Sequence, residues 1–335
     1  MKSTNKLLNN SFSHIYIEKE AYNFPMTSEI LSKFKNAVNV EIDDYKKLFS
    51  RTRQNFILQK KTPKLIFAVK KDKYLYEGAK VCESFGNENF YYISSVLNCV
   101  YDCEYCYLQG VYSSANIVVF VNIEDMFDEV KEVLKEKSMY ICISYDTDLL
   151  AMENVLGIVK KWYEFSKEHS NLKIELRTKS ANISLFSNLK ANPNFIVAWT
   201  LSPEEIAQKY ENGTPELVKR VDAAAKLIKN GWTVRLCFDP TIYTENFKEI
   251  YGNMVEYTFS KINSKDILDI SIGTFRISKE YLKRMKKNRE NSKILYYPFE
   301  CREGVYSYPE DKMEKMLEFM RKKVLEFADK DKIFI

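Results

Sequence analysis

From about Leu65 to Phe275 the chain alternates short apolar runs with amphipathic stretches. The apolar runs "FYYISSVL", "MYICISY", "LKIELRTK", "NFIVAWTLS", "WTVRLCFDP" and "ILDISIGTF" have strand length and are rich in β-branched and aromatic residues. Between them, "IEDMFDEVKEVLKEK", "MENVLGIVKKWYEFSKEH", "PELVKRVDAAAKLIKNG" (ending at Gly231) and "NFKEIYGNMVEYTFSKI" carry apolar residues at helical spacing. Strands that alternate with helices predict parallel βαβ units. Six of them exceed a small Rossmann-like half, so the expected fold is α/β with a partial (β/α)6-type TIM barrel over residues 76–277. Ahead of it, residues 1–75 read as an N-terminal α/β accessory segment. There "HIYIEKEAYNFPMTSEILSKF" gives a strand, a turn at Pro25 and a helix capped by Thr27 or Ser28, with Glu29 in its first turn. "PKLIFAVKK" gives a second strand, preceded by the polar "LQKKTP" as a linker. Behind the barrel, residues 278–335 read as a basic C-terminal segment. Its "FECREGVYSYP" predicts a hairpin turning at Gly304, with a helix following from about Glu310.

Composition narrows the class. A chain of 335 residues with 45% hydrophobic content can bury a full core. The N-terminus has no run of signal-peptide length, and nowhere do roughly 18 apolar residues follow one another as a membrane span requires. A soluble cytoplasmic protein without a membrane partner is expected. Seven cysteines, an odd number spread over a large chain, point to reduced thiols with a metal or redox task and not to a disulfide framework. The net charge of +5 is modest but uneven. In "KEYLKRMKKNRENSK", Lys279 to Lys293, seven basic residues stand against two acidic ones, an excess equal to the net charge of the whole chain. Such a run is either a solvated helix face or an arm that contacts phosphates, and Lys283, Arg284, Lys286 and Lys287 are its centre.

In a barrel of this kind the chemistry sits on loops leaving the C-terminal ends of the strands. Those ends carry a cysteine loop after "FYYISSVL", then "DTD", "RTKSAN", "TLSPEE", "DPTIY" and "GTFR". The loop "NCVYDCEYCYLQG" places Cys99, Cys103 and Cys106 within eight residues. A structural zinc site wants four ligands and a catalytic one usually includes histidine. His14 and His169 are the only histidines, and neither is near the loop in sequence. Three thiolates without a fourth ligand suit an iron–sulfur cluster with one open iron.

"CVYDCEYC" resembles the cysteine motif of the radical S-adenosylmethionine (SAM) superfamily. There the three cysteines hold a [4Fe–4S] cluster and SAM chelates the fourth iron. The wider stretches "HIYIEKEAYNFP", "CEYCYLQG", "ELRTKSAN", "LSPEEIAQKYENGTPELVKRVDAAAKLIKNGW" and "VYSYPEDKMEKM" are similar to the spore photoproduct lyase family nearly end to end. That resemblance implies a lyase that repairs 5-thyminyl-5,6-dihydrothymine in double-stranded DNA, fed by a low-potential donor such as flavodoxin or ferredoxin. A deoxyadenosyl radical from SAM would take a hydrogen atom from carbon 6 of the saturated ring. The inter-thymine bond would then break, and the remaining allylic thymine radical would need a hydrogen atom back.

The resemblance also assigns residues. It implies Cys99, Cys103 and Cys106 as cluster ligands and Tyr105 beside SAM. Tyr107 becomes a hydrogen-atom relay, and Thr147 and Lys179 become SAM contacts with Thr200 as a further candidate. Arg276 and Arg302 are implied to face the DNA, and the hairpin's Tyr306 and Tyr308 either wedge at the lesion or, if the hairpin packs on the last helix, serve as core. One position departs: where the family has its hydrogen-donor cysteine, this chain has Tyr145. Cys142 is three residues away, about 10 Å along a strand and on the opposite face, so it reads as core. Cys82 in "KVCESFG", just ahead of the strand that feeds the cysteine loop, is the expected substitute donor. The departure keeps open a radical SAM enzyme acting on another substrate. A zinc-binding nucleic-acid module is the remaining alternative.

Overall fold

The alternation becomes a mixed α/β structure in the computed structural model, which describes residues 12–79 and 82–335. Residues 1–11, where a targeting run was sought, and Lys80 and Val81 of the Cys82 segment lie outside the described residues. The chain forms two compact units. The first takes it up to Gly78 and adds 87–100 and 111–175; the second takes 79–86, 101–110 and 176–335.

In the first unit, β1 (His14–Glu18) runs parallel between β2 (Val38–Ile42) and β3 (Leu65–Ala68), with Ile15 opposite Asn39 on one side and Leu65 on the other. The short β4 (Leu75–Glu77) pairs antiparallel with β5 (Phe90–Ile93). β6 (Val96–Leu97) lies antiparallel to β7 (Ile117–Phe120), and β7 runs parallel beside β3. Both β3 and β7 are buried at every position, as parallel strands covered on two faces are. β7 was not among the strands read from the chain, because a four-residue apolar run has no period to betray it. Further along, β8 (Met139–Cys142) lies parallel between β5 and the start of β9 (Leu172–Thr178).

Three local expectations in this unit are corrected. Helix Pro25–Leu31 has Pro25 in its first turn and no side-chain cap; Thr27 is inside it and donates its hydroxyl to Ala21 O. Part of the supposed linker "LQKKTP" is the end of helix Phe56–Lys61. The stretch "MENVLGIVKKWYEFSKEH" is two helices, Leu149–Leu156 and Ile158–Lys167, because Gly157 takes φ +67°. That left-handed residue ends the first helix, and the Glu153 carboxylate accepts the N–H groups of Val159 and Lys160 at 2.8 and 3.0 Å to start the second.

In the second unit, β11 (Thr233–Thr241) runs parallel between β10 (Phe195–Thr200) and β12 (Ile270–Thr274), with Ile196 opposite Thr233 and Leu236 opposite Ile270. Helix Leu217–Lys229 stops where expected, with Gly231 at φ +82°. The expected hairpin is present as β14 (Glu300–Arg302) and β15 (Val305–Ser307), and it joins β13 (Arg276–Ser278) as a small antiparallel sheet. Its turn places Glu303 and Gly304 at φ +49° and +80°. Helix Glu310–Leu325 follows, then β16 (Ile333–Phe334) beside β12. In neither unit do the described strands close into a barrel. No helix among the described residues is long and apolar enough to cross a membrane.

Candidate active site around the cysteine loop

In the first unit the chain enters the cysteine loop at Asn98, which is fully buried and takes φ +69°. Asparagine tolerates that left-handed conformation, and its amide donates to Ser114 O and Asn116 O at 2.8 and 2.7 Å. Cys99 follows, half-buried, its carbonyl accepting from Lys60 Nζ at 2.6 Å. At the end of β8, Tyr145 stacks on Tyr92 with ring centres 4.1 Å apart. Of the neighbouring "DTD", Asp146 accepts from Ser94 Oγ at 2.5 Å, and Asp148 caps helix Leu149–Leu156 through Ala151 N at 3.0 Å. Thr147 is different. Its hydroxyl is buried without a hydrogen-bond partner. An unsatisfied buried hydroxyl costs about 1–3 kcal/mol, which is tolerable where a ligand completes it. Cys142 is buried, as its opposite-face position predicted.

In the second unit, Cys103 sits on a two-residue antiparallel ladder, Asp102–Cys103 against Glu211–Asn212, with Glu211 directly opposite it. The loop is tied internally. Cys106 N donates to Cys103 O at 3.1 Å, and the Gln109 amide donates to Cys103 O and Glu104 O at 3.0 and 2.9 Å. Tyr107 is half-buried, its carbonyl taking Gly110 N at 2.8 Å.

Around Glu211 the sequence-read residues Tyr105 and Lys179 come together. Tyr105 is buried and donates its hydroxyl to Glu211 Oε1. The Lys179 ammonium lies 3.6 Å from the same oxygen and 5.2 Å from the Tyr105 ring centre. Ser202 Oγ donates to Glu211 at 2.7 Å, and fully buried Arg220 donates to its other oxygen at 2.5 Å. Arg220 also donates to the carbonyl of buried Thr200 at 3.3 Å. Burial pushes the Glu211 carboxyl up, yet Lys179 and then Arg220 hold it down at about 2. Burial likewise disfavours charged Lys179, but Glu211 keeps its pKa well above the ordinary value. Burial and then Glu211 push the Tyr105 hydroxyl far up, so it stays a donor. Two cations against one carboxylate leave one positive charge in excess in this network, with Cys103 among the groups Lys179 feels. Glu211, Arg220 and Ser202 were missed by sequence reasoning. Arg220 did carry a signal: it lies on the buried stripe Leu217, Arg220, Val221, Ala224 of its helix, where a cation requires a buried anion.

The remaining expected residues are spread over this unit. Cys82 is half-buried, donates its N–H to Ala79 O at 2.8 Å, and lies near enough for Arg276 to feel it. Arg276 forks onto Asp239 at 2.9 and 3.1 Å. In helix Lys279–Asn288, Lys283 and Lys287 are exposed, and Lys286 holds its ammonium 5.0 Å over the Tyr296 ring. Arg284 is exposed as well, and it donates to Gly110 O at 3.1 Å. On the hairpin, exposed Arg302 bridges Glu300 and Glu310 at 3.2 and 2.9 Å, and Tyr306 is half-buried. Tyr308 is core: it is 2% exposed and its oxygen accepts from Tyr243 N at 2.9 Å. Among the described residues no group of three or more His, Cys, Asp or Glu side chains is already gathered as a metal site.

Over nearly its whole length the chain is similar to known proteins. A family model described as spore photoproduct lyase matches residues 11–334. A spore photoproduct lyase of Clostridium acetobutylicum is 24% identical over 335 aligned positions, covering 93% of this chain and 95% of that protein. One of Bacillus subtilis is 24% identical over 251 positions, covering 72% and 71% of the two chains. Among solved structures, a mutant spore photoproduct lyase with bound AdoMet and dinucleoside spore photoproduct superposes with a TM-score of 0.81 at 18% identity, covering 95% of this chain and 98% of that one. A spore photoproduct lyase complexed with the dinucleoside spore photoproduct gives 0.81 at 17% identity, with coverage of 96% and 99%.

Proposed function

The chain belongs to the spore photoproduct lyase family, and from that premise we propose that it is a radical SAM repair lyase that reverts 5-thyminyl-5,6-dihydrothymine in double-stranded DNA to two thymines. One observation carries the reading: the family match spans residues 11–334 and so includes the loop with Cys99, Cys103 and Cys106. Those three thiolates would hold a [4Fe–4S] cluster and leave room for SAM to bind it. The loop's chemistry supports the fit. None of the seven cysteines is in a disulfide, and the surplus positive charge of the Lys179–Arg220–Glu211 network lies beside Cys103, where it favours an anionic thiolate centre. When bound and given an electron by a flavodoxin- or ferredoxin-like donor, cluster and SAM together would supply the radical chemistry that takes a hydrogen atom from the saturated thymine.

The chain's own residues then bind, orient and quench. Thr147 offers its partnerless hydroxyl to SAM, Lys179 its ammonium to the SAM carboxylate, and Tyr105 and Thr200 complete the contacts. Cys82 would give its S–H hydrogen atom to the allylic thymine radical, Tyr107 would give its O–H hydrogen atom to the Cys82 thiyl radical so formed, and the Tyr107 phenoxyl radical would regain a hydrogen atom from 5′-deoxyadenosine. Exposed Lys283 and Lys287 hold the phosphates, with Lys286, Arg276, Arg302 and Tyr306 toward the lesion and Arg284 retained by the cysteine loop. Extruding a damaged base is less costly than extruding a paired one.

The test is anaerobic reconstitution followed by SAM, dithionite and a dinucleotide carrying the lesion, with restored thymidylyl-thymidine as the expected product. An intact cluster that cleaves SAM but leaves the lesion untouched would favour the reading in which the substrate differs, which Tyr145 in the donor position motivates. Zinc in place of iron would end both. For the donor, Cys82→Ala should still open the lesion but give misquenched products such as dithionite adducts. A clean wild-type product profile would transfer the role to Tyr145 or another cysteine.

A further inference from the structure

The basic segment read as a DNA arm has a second face. Tyr281, Arg284 and Asn288 fall at helical spacing on one stripe of helix Lys279–Asn288, while Lys283 and Lys287 lie one turn apart on another. The first stripe, continued by Arg289, meets the cysteine loop. Arg289 Nε donates to Gln109 Oε1 at 2.7 Å, and its Nη2 pairs with the Asp102 carboxylate next to Cys103. Asn288 Nδ2 donates to Gln109 O at 3.3 Å, and Arg284 Nη1 to Gly110 O at 3.1 Å. The last two acceptors are carbonyls of the short helix Leu108–Val111 that follows Cys106. Helix backbone also rests on the loop: a Cβ built on Gly110 would stand 2.4 Å from Tyr281 Cβ and 2.6 Å from Tyr281 Cα, so only glycine fits there.

Gln109 links the two sides. It is 2% exposed; its NH2 donates to the carbonyls of Cys103 and Glu104 while its oxygen accepts from Arg289. The guanidinium thus fixes which way the amide points, and the amide fixes the Cys103 and Glu104 peptides. Arg289 and Asp102 are 16% and 19% exposed, so their charge-assisted bond is largely shielded from water.

We infer that Arg289 is a positioning residue for the iron–sulfur loop, acting through Gln109 and Asp102, and that the basic segment is divided into an outer stripe for phosphates and an inner stripe that frames the cluster ligands. That the loop holds a cluster rests on the proposed function; the clamp itself rests on the contacts. Outer partners that orient metal ligands are typically worth 10–100-fold in metal affinity.

Three measurements test it, on wild type, Arg289→Ala, Arg289→Lys, Asp102→Asn and Lys283→Ala/Lys287→Ala. In the apoprotein, amide hydrogen exchange at residues 103–110 should accelerate in Arg289→Ala and Asp102→Asn, and remain at the wild-type rate in the double-lysine variant. After anaerobic reconstitution, iron should be lost to a chelator roughly tenfold faster from Arg289→Ala than from wild type, with Arg289→Lys intermediate because it keeps the charge and loses the fork. Duplex affinity should fall in the double-lysine variant and change by less than about twofold in Arg289→Ala. Wild-type exchange at the loop in Arg289→Ala and Asp102→Asn overturns the clamp. So does an equal loss of DNA binding in the arginine and double-lysine variants. If wild type takes up no iron, the cluster reading fails, while the apoprotein exchange still decides the clamp. Should Arg289→Ala fail to fold, exchange in Arg289→Lys and Asp102→Asn decides the clamp in its place.

Discussion

Glu153 in the first unit and Glu211 in the second are both buried, at 5% and 2% exposure, and they titrate in opposite directions. Burial pushes Glu153 up to about 7 even though it accepts two backbone N–H groups. Glu211 suffers the same desolvation, yet Lys179 and Arg220 hold it down to about 2. Depth alone therefore does not set the charge of a carboxyl; the cations packed against it do. The Glu153 joint is a turn between two helices that needs only donors for its oxygens. The Glu211 network keeps two cations on one anion beside a cysteine, an arrangement that makes sense if further negative charge is to be bound there.

The sharpest way to break this contrast is to remove the negative charge it anticipates. Cys103→Ala, and equally Cys99→Ala or Cys106→Ala, should abolish 5′-deoxyadenosine production from SAM, because a lost thiolate leaves another iron unprotected. Wild-type production by any one of them would sink the ligand assignment and with it the purpose given to the surplus charge. Next in size is Glu211→Gln. It strands Lys179 and Arg220 as buried cations, and breaking a buried ion pair in this way costs about 3–5 kcal/mol. Denaturant unfolding should show that loss.

A pH series separates the two carboxyls further. Glu153 binds its proton more tightly folded than unfolded, so its contribution to stability is full below its ordinary value of 4.5 and declines as pH rises to about 7. The decline amounts to roughly 3 kcal/mol by linkage. Glu211 has the opposite sign: its contribution is full above 4.5 and is lost as pH falls toward about 2. Between pH 4.5 and 7.5 wild type should lose stability relative to Glu153→Gln as pH rises, and unfolding midpoints that run parallel would refute the assignment. The smallest effect is Glu153→Gln itself at pH 4.5, where the folded wild-type carboxyl still holds its proton, about 1 kcal/mol for one backbone hydrogen bond lost. A loss there as large as that of Glu211→Gln would erase the contrast.

The chain by itself determined what depends on neighbours in sequence. Strand and helix alternation gave the α/β class, Gly231 and Gly304 marked a helix end and a hairpin, and three thiols within eight residues marked a chelating pattern in their loop, because periodicity, turn residues and chelate spacing are all local properties. Tertiary structure decided the rest. Gly157 broke one helical pattern into two, and Glu153 caps the second helix. Glu211 meets Tyr105 from 106 positions away, and Arg289 meets Asp102 from 187. A basic run reads the same whether its cations face phosphate or a buried carboxylate. Which way they face is fixed when the helix packs: Arg284 reaches Gly110 O and Arg289 reaches Gln109 and Asp102, Lys283 and Lys287 stay exposed, and glycine at position 110 leaves room for the helix backbone at Tyr281.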